Sequence, residues 1–281
     1  MKENKRTKDI VVWVIILVVL LAACILTNKQ GEKSETISEV MKDAVLHEDN
    51  KISLFGVKDV NPSLISAYVV TAVILVFALI VRIFVIPRFK YVPGKFQMLL
   101  ELWVGLFDNL AKSNSPHRNG FLGAYVFAAG SYIFTGTLFE LFGVQVTTTE
   151  GMSMALPAPL SDINAAIALG CLSYLIIMSG GIAGNGLKGV GLTLKDFSLP
   201  ISMSFRLFGA LLSGLLVTEL VYYYIALSFV LPVAVGLLFT LLHALIQTYV
   251  LTMLTALFYG EVSEPSEKKP KKAKKVKEAQ A

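Results

Sequence analysis

The sequence predicts an all-α polytopic membrane protein with five core membrane-crossing helices, an amphipathic inner-surface helix and an extra N-terminal signal or anchor helix. Three observations carry that prediction. Of 281 residues, 55% are hydrophobic and only 16% are charged, a balance outside the soluble norm. Apolar runs long enough to cross a bilayer recur along the chain. Lysine and arginine gather in alternate connecting segments, as the positive-inside bias demands of a multi-pass chain. The net charge of +5 does not point to nucleic acid, because the largest lysine block is the C-terminal tail. Cys24 and Cys171 lie in apolar stretches and cannot build a framework of several bridges.

Residues 1–27 form a basic n-region followed by an uncharged run from Ile10 to Leu26, a signal sequence or signal anchor. Leu21-Ala22-Ala23-Cys24 resembles a bacterial lipobox, which makes Cys24 a candidate for lipidation. A retained anchor and an ordinary cleaved signal are the other two readings. Residues 28–63 are mixed polar and acidic and read as an external segment, with a short helix over Ser34 to Glu48. The membrane domain, residues 64–262, begins with a span from Leu64 to Ile86 that is stopped by Pro87 and followed by Arg88, Lys90 and Lys95. Phe96 to Ala111 mixes Glu101, Asp108 and Asn109 with Trp103 and Phe107, and reads as an amphipathic helix lying at the inner interface. Gly120 to Phe142 crosses outward with Glu140 near its far end, and the loop to Pro159 carries no lysine or arginine. Ile163 to Met178 returns inward, with Asp162 and Asn164 at its start, and Gly180 to Gly191 reads as a glycine-rich cytoplasmic turn. Lys195 and Asp196 open the helix that carries Arg206, with Pro200 in its first turns or at a kink. The last helix runs from about Leu231 to Tyr259, and residues 263–281 form a lysine-rich cytoplasmic tail.

Arg206 is the charge that needs a reason. It sits inside the apolar tract formed by the last two helices, and intramembrane cations are costly, so they face a bundle interior, a wet cavity or a partner. With the turn between those helices near Phe229, Gln247 comes within about 8 Å of the same depth. Its amide could accept from the guanidinium and still donate elsewhere. Glu219 lies about 20 Å further toward the turn, and His243 approaches that side from the last helix. A carboxylate and an imidazole both take and release protons, so Glu219, His243, Glu140, Asp162 and Asn164, with Thr218 and Thr240, are candidates for a water-filled half-path. No Asp or Glu occurs between Asp196 and Glu219, nor between Glu219 and Glu261. Small residues around Arg206, among them Ser202, Gly209 and Ser213, leave room for a close helical neighbour.

The last two helices resemble subunit a of the bacterial F-type ATP synthase. The resemblance rests on Ser204-Phe205-Arg206-Leu207-Phe208-Gly209, similar to that family's arginine motif, and on Leu245 to Thr255, similar to its glutamine motif around Gln247. Pro159-Leu160-Ser161-Asp162-Ile163-Asn164 also resembles the family's proline, acid and asparagine segment. The likeness covers about Leu64 to Tyr259. It implies a proton-conducting stator subunit in the bacterial plasma membrane, with a cytoplasmic C-terminus and with the last two helices tilted along a ring of c subunits. It implies two aqueous half-channels meeting at Arg206, peripheral-stalk b subunits and the remainder of the F-type complex as partners beside membrane lipid, and no cofactor, metal or ATP-chemistry site in this chain. The sequence departs from the family's pattern at Leu215 and Thr240, where polar partners are usual; Glu219 and His243 are each displaced along their helices by about one turn from those positions. The alternative reading is a secondary transporter or channel that binds an anionic substrate at Arg206, although no internal repeat is evident.

Overall fold

The computed structural model describes residues 12–16, 18–19, 22, 38, 52–54, 57–147, 153–223 and 231–265. The readings for Cys24, most of the leader, nearly all of the external segment before residue 52 and nearly all of the lysine tail lie outside those residues. A short antiparallel hairpin, β1 (Ile52–Leu54) and β2 (Val57–Val60), leads into α1 (Pro62–Ile80). Asn61 caps α1 by accepting from the Ser63 N–H, and Pro62 occupies a first-turn position where no N–H is needed. A π turn (Val81–Val85) and a 3-10 turn (Ile86–Arg88) end this span. There follow α2 (Lys95–Asn114), α3 (Gly120–Phe139), the hairpin β3 (Gln145–Thr147) and β4 (Ser153–Ala155), α4 (Ile163–Asn185), α5 (Leu187–Lys195), α6 (Ser198–Tyr223) and α7 (Leu231–Ser263).

Among the described residues, five helices are long and apolar enough to cross a membrane, starting at Pro62, Gly120, Ile163, Ser198 and Val235. The chain is therefore a multi-pass helical membrane protein, as its composition predicts. The amphipathic α2 is not one of the five. Its apolar stripe, Trp103, Phe107 and Ala111, packs antiparallel along α3: Trp103 Nε1 donates to Ser131 Oγ at 3.1 Å, and the Phe107 ring meets Phe127 edge-on.

The main core lies among α3, α4, α6 and α7 and includes Val126, Ile133, Ile177, Leu207 and Leu251. A satellite cluster of Ile52, Val70, Phe139 and Leu156 ties both hairpins to the start of α1 and the end of α3. Neither hairpin is evident from the sequence, where three- and four-residue strands leave too little alternation to read.

The glycine-rich stretch is not a turn. Gly180 and Gly181 are buried inside α4, which runs on to Asn185, and the chain reverses only at Gly186, whose φ of 60° suits a residue without a Cβ. A Cβ at Gly180 would meet the Tyr259 ring of α7, and one at Gly181 would meet Thr193 and the Gly189 backbone of α5. These glycines allow close helix contact, the use small residues have in membrane bundles. Pro200 falls in the first turn of α6, so it interrupts no helical hydrogen bond.

Candidate functional site

Arg206 is exposed on α6. Ser202, Gly209 and Ser213 are exposed on the same helix at spacings of four, seven and eleven residues across the stripe, so its face is lined by small side chains. The opposite side of this turn is anchored: Met203 and Leu207 are each 1% exposed in the core. Ser204, also buried, donates back to the Pro200 carbonyl and sits against Gly170 of α4.

Gln247 is a lateral neighbour of Arg206, as the depth estimate predicts, but through a different contact. Its Nε2 donates to the Arg206 main-chain oxygen at 3.3 Å, so the guanidinium is not held by the glutamine amide. The glutamine is only 5% exposed. Together with Val250, Leu251 and Leu254 it closes the α6–α7 seam around Arg206, where the cleft volume is ≈ 0 Å³, less than a water needs. Among the described residues the guanidinium makes no ion pair.

Toward the hairpin end, about 12 Å along α6 from Arg206 to Gly214, three helices enclose a polar recess of ≈ 10 Å³. That is about the space of one water centre. Glu140 and Thr137 come from the end of α3, Thr218 and Gly214 from α6, and Thr240 and His243 from α7. His243 Nδ1 lies 2.8 Å from the Phe239 carbonyl, and its ring stacks on Phe239. Gly214 faces the imidazole at ordinary van der Waals range: a Cβ there would sit 3.7 Å from Nδ1. The structure thus brings together Glu140, His243, Thr218 and Thr240 of the candidate half-path. Thr240 is 9% exposed and lines this recess. Thr137 is a lining residue that sequence reasoning misses, because a threonine bonded to the carbonyl four residues back, here Ile133, is an ordinary helix feature.

Asp162 and Asn164 lie elsewhere. Asp162 caps α4 by accepting from the Asn164 N–H at 2.9 Å, and its other oxygen accepts from Asn61 Nδ2, the α1 cap, at 3.1 Å. Ser63 and Ser161 meet beside it at 3.3 Å. This pair of helix caps clasps α1 to α4. The Glu219 backbone is helical, and its side chain lies outside the described residues.

A multi-pass helical bundle whose penultimate helix exposes one arginine among small residues, with its main chain tied to a glutamine of the last helix, is the class of membrane protein that the fold and site define. Comparison with known proteins gives that class its family. The sequence model described as ATP synthase A chain matches residues 64–260, most of the chain, and the chain belongs to that family, the subunit a of F-type ATP synthases. The ATP synthase subunit a of Cereibacter sphaeroides is 27% identical over 183 residues, covering 61% of this chain and 70% of that protein. That of Histophilus somni is 27% identical over 207 residues, covering 59% and 76%.

Proposed function

We propose that this chain is the proton-conducting stator subunit of a rotary ATP synthase, with two aqueous half-channels that meet at Arg206. The observation that carries the reading is the exposed guanidinium on a stripe of small residues, with no carboxylate paired to it among the described residues. A ring of c subunits would bring a carboxylate past that charge. Arg206 would hold the deprotonated form by a charge-assisted contact and release it on protonation, while the closed seam around Gln247 keeps water from running straight between the half-channels.

The recess of Glu140, Thr218, Thr240 and His243 suits the outer half-channel, because the hairpin end has few basic residues and the opposite end carries Arg88, Lys90, Lys95, Lys112 and Arg118. That orientation leaves the C-terminus cytoplasmic, with the peripheral-stalk b subunits as further partners. Glu219, next in sequence to Thr218, is assigned to the same path on its sequence position alone. Family membership favours this reading over an anion transporter. Mild detergent extraction tests it: a ring of small hairpin subunits and soluble ATP-hydrolysing subunits should copurify with the chain, and a chain that purifies alone and moves an organic anion would contradict it.

A further inference from the structure

We infer that the basic end of α1 carries a site for the headgroup of an anionic phospholipid. There the chain leaves the π turn, passes through the 3-10 turn and re-enters helix at Lys95, enclosing an open recess of ≈ 450 Å³. Arg88, Lys90 and Lys95 line it, and no acidic residue is among its lining residues. Among the described residues none of these three cations is in an ion pair. The recess is separate from Arg206 and from the polar recess at the hairpin end, and the proposed proton path makes no use of it.

Three features make it a site rather than a scatter of surface charge. The loop is built: the Gln97 side chain accepts from the Lys90 N–H at 3.1 Å and donates to the Lys90 carbonyl at 3.0 Å, which fixes residues 90–97 as one turn. The N-terminus of α2 opens into it, with Gly94 at the cap and no side chain bonded to the first N–H groups, an arrangement that favours a phosphate. The walls are aromatic, with Phe84 at 57%, Phe89 at 37% and Phe96 at 49% exposure. Phenylalanines beside three cations match a ligand with acyl chains below a charged headgroup, and basic recesses at the membrane surface hold such headgroups. A free phosphate would use the cations and leave the aromatic wall without purpose, so the occupant is the lipid.

The test uses the complex extracted in mild detergent, stripped of lipid and titrated with phosphatidylglycerol, and the lipid-bound chain is read by native mass spectrometry. Each cation should contribute about fivefold in affinity, so Arg88→Gln with Lys90→Gln and Lys95→Gln should weaken phosphatidylglycerol binding on the order of a hundredfold and leave phosphatidylcholine unaffected. Where the triple variant does not assemble, single Lys90→Gln and Lys95→Gln variants should each show the fivefold loss, and Arg88→Lys should retain binding. Phe89→Ala with Phe96→Ala should weaken the lipid as well. Equal phosphatidylglycerol binding in the glutamine variants overturns the site. Inorganic phosphate that displaces the lipid completely, with binding indifferent to the phenylalanine changes, overturns the lipid as occupant.

Discussion

Gln247 grips the main chain of Arg206, its Nε2 donating to the arginine carbonyl at 3.3 Å. The contact sets the height of α6 against α7 and leaves the guanidinium fork uncommitted. Gln247→Leu removes one hydrogen bond worth about 1 kcal/mol of stability, so it should preserve assembly, and by loosening the seam beside Arg206 it should lower proton-driven ATP synthesis. Gln247→Glu should be far worse, because a carboxylate at the seam would pair with the arginine it now leaves free. Synthesis in membrane vesicles, compared between the two variants, checks the order.

Glu140 and His243 share the recess at the hairpin end. With Glu140 as a proton carrier of the proposed half-channel, Glu140→Gln should slow ATP-driven quinacrine quenching by about tenfold or more. Glu219→Gln should also slow proton uptake from that side, while His243→Ala should act more weakly. Wild-type quenching in all three would make them structural residues.

Asp162 is predicted to act as a clasp. Asp162→Ala loses a helix cap and the Asn61 contact, together about 2 kcal/mol, and should lower the melting temperature of the complex. Asn61→Ala loses the α1 cap and the same contact, and should lower it by a similar amount. Asp162→Asn keeps an acceptor for the cap and should keep both stability and coupled synthesis. Loss of synthesis at unchanged stability in that variant would instead make Asp162 a proton carrier.

The glycines of α4 give a packing test. Gly180→Leu drives a side chain into the Tyr259 ring and should prevent accumulation of the folded chain, since overpacking costs about 1–3 kcal/mol or more. Gly191→Ala, where a Cβ meets nothing within 4 Å, should leave the level in the membrane unchanged. Immunoblots of membranes expressing each variant make the comparison.

These contrasts also mark what the sequence could tell. Span positions followed from hydropathy, and the approach of Gln247 to Arg206 followed from helical rise, because both depend on regular geometry. The partner atom did not, since a glutamine can bond to a carbonyl or a guanidinium equally well. Gly180 and Gly181 read as a turn because glycine serves both turns and tight helix contacts, and only Tyr259 opposite Gly180 and Thr193 opposite Gly181 decide between them. A carboxylate at a helix start fits a cap or a proton group equally well, and the Asn61 contact on the second oxygen of Asp162 is a long-range pairing that the sequence does not signal. Thr240, a half-path candidate from the sequence, lines one recess with Glu140, a grouping of α3 with α7 that no sequence pattern signals.

The charge of Arg206 is the feature on which the proposed proton transfer depends. In membranes holding the whole complex, Arg206→Ala should assemble at normal levels yet abolish both proton-driven ATP synthesis and ATP-driven proton pumping. The most direct measurement is therefore ATP synthesis under an imposed proton gradient in Arg206→Ala vesicles matched for complex content. No synthesis above background is expected, and synthesis at the wild-type rate would show that proton transfer does not depend on the Arg206 charge.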